Sequence, residues 1–294
     1  MTVLAIKIDV DTEVGTRIGI PNLLVLLKDL QIPATFYLSL GPDNTGRAIK
    51  RIFRRGFFKK CMRTSVISTH GLRTLLNGVL LPGPYIGKKH EQLLRTIKEQ
   101  GFNIGIHTYD HQKWQDGVTQ MSQEKIAGEF QKALNEFQRI FGVSAITAAA
   151  PGWQANEKTL AVYDLAGFAY ASDGRGVSPF FPKIGDKIYR TLQIPTTLPT
   201  LDELLGRPEF PLEKLTAYYI SILKQDALNL LTIHAELEGM KYLAWFRSFL
   251  VELKKQNIRF INLSDIAKSA GFPVCELVQA EVEGRSGKLA WQKT

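Results

Sequence analysis

Val3-Leu4-Ala5-Ile6-Lys7-Ile8-Asp9-Val10-Asp11 stands near the start of the chain, and its reading decides the fold. Residues 3–8 are apolar apart from one lysine, as in a strand buried on both faces. The run then meets two carboxylates two positions apart. Alternation along a strand puts such residues on one face, so Asp9 and Asp11 can point into one mouth. Taken alone, Asp-x-Asp is equally a solvated turn at a strand end.

Further along, short apolar runs alternate with helical patterns. Residues 19–30 read as a helix, with Pro21 tolerated in its first turn, and 34–40 as a second strand. Helices at 88–100, 122–141 and 156–166 precede strands at 103–107, 145–150 and 168–172. Residues 212–224, 227–234, 239–256 and 258–261 continue the rhythm. Strands separated by helices imply βα units and a parallel sheet. Seven or eight such units in 294 residues predict an α/β fold, a distorted (β/α) barrel, over residues 1–272. Residues 41–87 break the rhythm as a long insert after the second strand. Residues 273–294 have weak periodicity and are expected to form a loosely ordered tail.

The 45% hydrophobic share excludes wholesale disorder. The net charge is +9, but Arg47, Lys50, Arg51, Arg54, Arg55, Lys59, Lys60 and Arg63 carry +8 of it with no acid among them. One cationic element on a near-neutral body is a poor nucleic-acid binder. Cys61 and Cys275 make no disulfide framework, which fits a reducing compartment. The start lacks the basic and long apolar regions of a signal peptide, and no apolar run reaches membrane-spanning length. A cytoplasmic protein with at most peripheral membrane contact is expected.

Three polar clusters end predicted strands, where barrel enzymes place their active sites. Asp9 and Asp11 form the first. His107-Thr108-Tyr109-Asp110-His111 is the second, with two of the chain's five histidines. Residues four apart lie together on one helical turn and can share a metal. One carboxylate and two imidazoles leave positions open for water and substrate on a divalent ion. Leu231-Thr232-Ile233-His234 is the third. Its histidine is either a core residue bonded to a carbonyl or a general acid facing the metal.

Together these clusters resemble the polysaccharide deacetylases, the NodB-homology or carbohydrate esterase family 4 group. That family folds as a distorted (β/α) barrel and hydrolyses N-acyl groups of amino sugars. The resemblance implies that Asp9 is the catalytic base and that Asp11, His107 and His111 bind one divalent metal: zinc, cobalt, nickel or manganese. It implies that His234 is the general acid. The family's third motif, Arg-x-Pro-x-aromatic, is matched at Pro151 and Trp153, but Ala149 stands where the arginine belongs. Arg175, in Ser172-Asp173-Gly174-Arg175-Gly176, is expected to reach in as its replacement. Asp173 is expected to orient His234. Ala150, Pro151 and Trp153 are the expected substrate and oxyanion contacts.

A narrower resemblance extends to about residue 270. Ile8–Thr12, Gly41-Pro42-Asp43-Asn44, the Ser172–Gly176 stretch, Gln193-Ile194-Pro195, Leu198-Pro199-Thr200 and Ile233-His234-Ala235-Glu236 with Glu238-Gly239 look like one subfamily. Its members deformylate 4-deoxy-4-formamido-L-arabinose on undecaprenyl phosphate, a step in lipid A modification and polymyxin resistance. The implied substrate lies in the inner membrane with its sugar on the cytoplasmic side, and no protein partner is implied. On a helical wheel of the insert, Ile49, Ile52, Phe53 and Phe57 oppose Arg47, Lys50, Arg51, Arg54 and Arg55. With Phe58, this stretch is the expected contact with an anionic membrane surface. A solvated surface helix is the plainer alternative. Two other functions remain on the residues alone: a deacetylase of soluble amino-sugar polymers, and a basic module that binds nucleic acid.

Overall fold

The structure is a computed structural model that describes residues 1–47, 77–79, 81–285 and 287–294. The expected membrane contacts Lys50, Arg51, Ile52, Phe53, Arg54, Arg55, Phe57 and Phe58 lie outside the described residues. Arg47 lies inside them.

In chain order the strands are β1 (Val3–Val10), β2 (Thr35–Ser39), β3 (Asn103–Thr108), β4 (Thr147–Ala148), β5 (Tyr170–Ala171), β6 (Phe181–Ile184), β7 (Lys187–Ile188), β8 (Leu192–Gln193), β9 (Leu230–His234), β10 (Arg259–Ile261), β11 (Val274–Glu281) and β12 (Lys288–Lys293). A parallel sheet runs β10-β1-β2-β3-β4-β5-β8, and β9 also pairs with β1. The sheet curls, and the loop after β8 comes back to β9, where the amides of Thr197 and Leu198 donate to the Leu230 carbonyl. The βα rhythm read from the sequence is thus present as an α/β fold with a curled parallel sheet.

Strand β1 is buried along almost its whole length, and its two faces meet different surroundings. Leu4, Ile6, Ile8 and Val10 face outward and pack with Leu23 and Leu27 of α1 (Ile20–Asp29). Ala5 faces inward with Tyr37, Ala149, Tyr170, Leu192, Ile194 and Leu230. By alternation Lys7 and Asp9 share that inner face.

The outer helices include α2 (Glu91–Glu99), α3 (His111–Gly117), α4 (Gln123–Phe141), α5 (Glu157–Ala166), α6 (Leu212–Ile222) and α7 (Leu243–Lys255). Their ends follow from local chemistry. The Ser122 hydroxyl accepts from the Lys125 amide to start α4, and Asn156 forms a capping box with Thr159 to start α5. Gly142 and Gly167 stop these two helices at φ 68° and 71°, a conformation that favours glycine. Phe130 of α4 seats the pair by packing on Trp114, Tyr163 and Phe168.

The chain departs from expectation at its C-terminus. Residues 274–293 are not a loose tail: β11 and β12 form an antiparallel hairpin, and β11 adds in parallel to β6. The result is a second sheet, β12-β11-β6-β7. Its strands mix charged and polar residues with short apolar pairs, as in Glu276-Leu277-Val278-Gln279, and fewer than half of their residues are buried. That leaves too little apolar signal to stand out from a polar tail.

Candidate active site

The mouth forms where β1, β3 and β9 end. Asp9 lies in register with His234, so parallel pairing alone sets these two residues side by side. His107 ends β3 on the same side. His111 does not share a helical turn with it, as the spacing suggested. The chain leaves β3 at Thr108, turns through Tyr109 and Asp110, and His111 is the first residue of α3. Asp110 caps that helix by accepting from the Lys113 amide, and this fixes the turn. The two imidazole rings end 5.2 Å apart.

Asp11, His107 and His111 each offer one ligand atom, and these atoms all lie within 4.8 Å of one another. His107 Nδ1 is 2.8 Å from the Ala149 carbonyl, so it donates there and turns the lone pair of Nε2 toward Asp11. Nε2 of His107 and of His111 lie 3.2 and 3.4 Å from Asp11 Oδ1. That oxygen is buried and has no hydrogen-bond donor among the described residues. Burial opposes charge on Asp11, but the imidazoles outweigh it and hold the carboxyl well below its usual range. Burial likewise opposes a charged His107, and Asp9 and Asp11 outweigh it, which raises that imidazole. A lone pair and a carboxylate oxygen converging in a buried space call for a cation between them. The set therefore fits one divalent ion.

The residue beside Asp9 was missed. Lys7 is fully buried, its ammonium lies 3.3 Å from Asp9 Oδ2, and it donates to the Ser172 carbonyl at 3.0 Å. It sits 5.6 and 5.8 Å from the centroids of the Tyr37 and Trp153 rings. Arg175 does not take this place. Its guanidinium donates to Glu203 and to the carbonyls of Thr196 and Leu198. The alternation that picked out Asp9 and Asp11 also picks out Lys7. A lysine inside a buried strand needs a carboxylate partner, and that signal was available.

Asp173 is also placed otherwise than expected. Its oxygens accept from the Ala150 amide at 2.7 Å and from Gln193 Nε2 at 3.0 Å, with no bond to His234. Burial pushes its carboxyl up to about 6. The Ala150 amide is therefore committed and is no oxyanion donor, and Pro151 has no amide to give. Trp153 is only 2% exposed. It is a buried wall of the site, and its indole donates to Thr196.

Two carboxylates support the mouth from below. Glu236 Oε1 accepts from the amides of Asp11 and Thr12 and from the Thr12 hydroxyl. Gly15 lets it fit, since a Cβ there would lie 2.0 Å from that oxygen. Glu238 accepts from the His234 amide at 3.0 Å. Burial pushes each of these carboxyls up to about 8.

Two outcomes follow. Purified protein should hold about one divalent ion per chain, and His111→Ala should lose it. Elemental analysis that finds equal metal in both proteins contradicts the ligand set. Glu238 keeps its proton in the folded state from its ordinary 4.5 up to about 8, while the unfolded chain has released it. Stability should therefore fall across that window by up to about 1.4 kcal/mol per pH unit. In urea unfolding between pH ~5 and ~8, Glu238→Gln should show a shallower fall than the parent. Equal slopes would contradict the assignment.

Known proteins resemble this chain in sequence and in fold. Residues 13–171 match the polysaccharide deacetylase family. A probable 4-deoxy-4-formamido-L-arabinose-phosphoundecaprenol deformylase ArnD of Shewanella sediminis is 36% identical over 99% of this chain and 95% of its own. The protein of that same description from Wigglesworthia glossinidia brevipalpis is 34% identical over 95% and 98%. The crystal structure of a probable polysaccharide deacetylase from Pseudomonas aeruginosa PAO1 superposes with a TM-score of 0.61 at 16% identity, covering 90% of this chain and 89% of that one. The last likeness concerns the fold alone, whereas the family match and the near full-length relatives reach the sequence itself. On both counts the chain is a member of the polysaccharide deacetylase family.

Proposed function

We propose that this protein is a metal-dependent amide hydrolase that removes the formyl group from 4-deoxy-4-formamido-L-arabinosyl-phosphoundecaprenol. The observation that carries the reaction class is the convergence of Asp11, His107 and His111 beside the paired Asp9 and His234. The substrate follows from the two relatives, which match almost end to end. The curled sheet then serves as the family's distorted barrel, with its mouth at the ends of β1, β3 and β9.

A divalent ion on Asp11, His107 and His111, whether zinc, cobalt, nickel or manganese, supplies Lewis-acid polarisation and a water of lowered pKa. The chain's own residues then act in turn. Asp9 removes a proton from the water that attacks the formyl carbon. Lys7 holds the Asp9 carboxylate in place. His234 gives a proton to the sugar nitrogen as the C–N bond breaks. The products are formate and the free 4-amino sugar on its lipid. Glu236 and Glu238 fix the backbone of ligand and acid.

A substrate anchored in a bilayer calls for an enzyme that works at its surface. No helix among the described residues is long and apolar enough to cross a membrane. The basic stretch from Arg47 to Arg63 suits peripheral attachment to the anionic cytoplasmic face of the inner membrane, where each basic residue is worth roughly 1 kcal/mol.

Mass spectrometry of the formamido lipid, incubated with protein and metal, should show loss of the formyl mass. His234→Ala and Asp9→Asn should each lower turnover about a hundredfold or more. Wild-type turnover in either variant rejects the roles assigned. Turnover of acetylated chito-oligosaccharides and not of the lipid would instead mark a polymer deacetylase. Co-sedimentation with anionic vesicles should be lost when Arg51, Arg54 and Arg55 become Ser; retention would reject the basic stretch as the anchor.

A further inference from the structure

The C-terminal hairpin meets the loops behind the active site through the backbone of β12, which bonds Arg175, and through the side chain of Arg285. Arg285, on the turn between β11 and β12, donates to Glu203 at 2.7 Å, to the Thr200 hydroxyl at 2.8 Å and to Asp202 at 3.0 Å. Arg175 donates to the same Glu203 oxygen at 2.6 Å. Both guanidiniums lie against the Trp153 ring, 4.4 Å away for Arg285 and 5.1 Å for Arg175. Burial disfavours charge on Glu203, and the two arginines outweigh it and keep its carboxyl below the usual range.

Trp153 needs such support. Its backbone sits at φ 54°, beside Gly152 at φ 59°, in the left-handed region that side chains rarely adopt. Its indole N–H bonds to Thr196, whose hydroxyl meets that of Thr232 at 2.7 Å. Thr232 is the register partner of Lys7 on β9. The ring is thereby set against the ammonium that holds Asp9.

We propose that Arg285 is a positioning residue for the base: with Arg175 it braces Trp153 against Lys7, and Lys7 against Asp9. The hairpin is then part of the active site and not an appendage to it. Because the guanidinium is spent on Glu203, Thr200, Asp202 and the face of Trp153, its loss should act on how the base is held rather than on substrate affinity or metal content. The proposal rests on the hydrolase reading above, and its test separates the two.

The test is a double-mutant cycle on Lys7→Met and Arg285→Met, read as kcat and KM for formate release, with metal content and thermal midpoint measured alongside. Arg285→Met should lower kcat about tenfold to a hundredfold, with KM and metal content unchanged. Arg285→Lys should recover only part of the loss, since an ammonium cannot lie flat on the ring and bridge two carboxylates. The double variant should be no slower than Lys7→Met alone, because the brace acts through that lysine. A kcat for Arg285→Met within about twofold of the parent, or losses that multiply in the double variant, would overturn the proposal. If Arg285→Met fails to fold, Arg285→Lys takes its place in the cycle. If the parent releases no formate from the lipid, the hydrolase reading falls, and the cycle is read in the thermal midpoint. Non-additive midpoints then uphold the brace, and additive ones overturn it.

Discussion

A lysine and an aspartate are closed together inside a curled sheet, and much of the molecule is arranged to make that tolerable. Lys7 and Asp9 project from the inner face of β1, where water does not reach Lys7 at all. Removing one partner of such a pair leaves an uncompensated buried charge, at a cost of roughly 3–5 kcal/mol. The ammonium is therefore met from several directions: by Asp9 on its own strand, by the Ser172 carbonyl after β5, and by the rings of Tyr37 and Trp153. A flat sheet could not bring β2, the turn after β4 and the end of β5 to one side chain. The curl and the pair need each other.

The surrounding acids are sorted by their partners. Glu236 and Glu238 are buried with amide and hydroxyl donors and no cation, and both hold their protons to about pH 8. Asp11 faces two imidazoles and gives its proton up early. Five carboxylates near one mouth would repel each other if all were charged. Neutral support below and charged ligands above resolve that conflict, and they leave the negative charge where a metal ion would use it.

Much of this was legible in the sequence, because the fold is built from period. Buried parallel strands read as apolar runs, and each was followed by a helical pattern, so the order of elements could be written down. Asp11 and His107 were legible for the same reason, as both fall at the end of a strand, whereas His111 opens a helix and was found by its spacing from His107. What was lost shows the limits of period. Strands β4 and β5 are only two residues long, too short to show a period, and just past β4 the Ala150 amide turns from the ladder to the Asp173 carboxylate. Strands β6 to β8 and the hairpin are short or half-polar and carry no run to detect. The expected role of Arg175 failed because sequence spacing says which strand a residue follows and not where its side chain ends. Glu203 and Trp153, distant in sequence, decide that.

The pairing of β1 has a consequence for how the chain reaches this state. Glu236 closes onto the Asp11 loop across 225 positions, and β9 and β10 complete the side of β1 that β2 leaves open. During synthesis, the strand that carries Lys7 and Asp9 thus emerges long before β9 and β10 and waits with one edge bare. Such long-range closure is slow, and an open apolar edge is prone to wrong pairing. His234 arrives on β9, one of the strands that seal this edge. Chemical competence and protection from aggregation are therefore acquired in one late event, and a chain that has not finished folding cannot attack an amide.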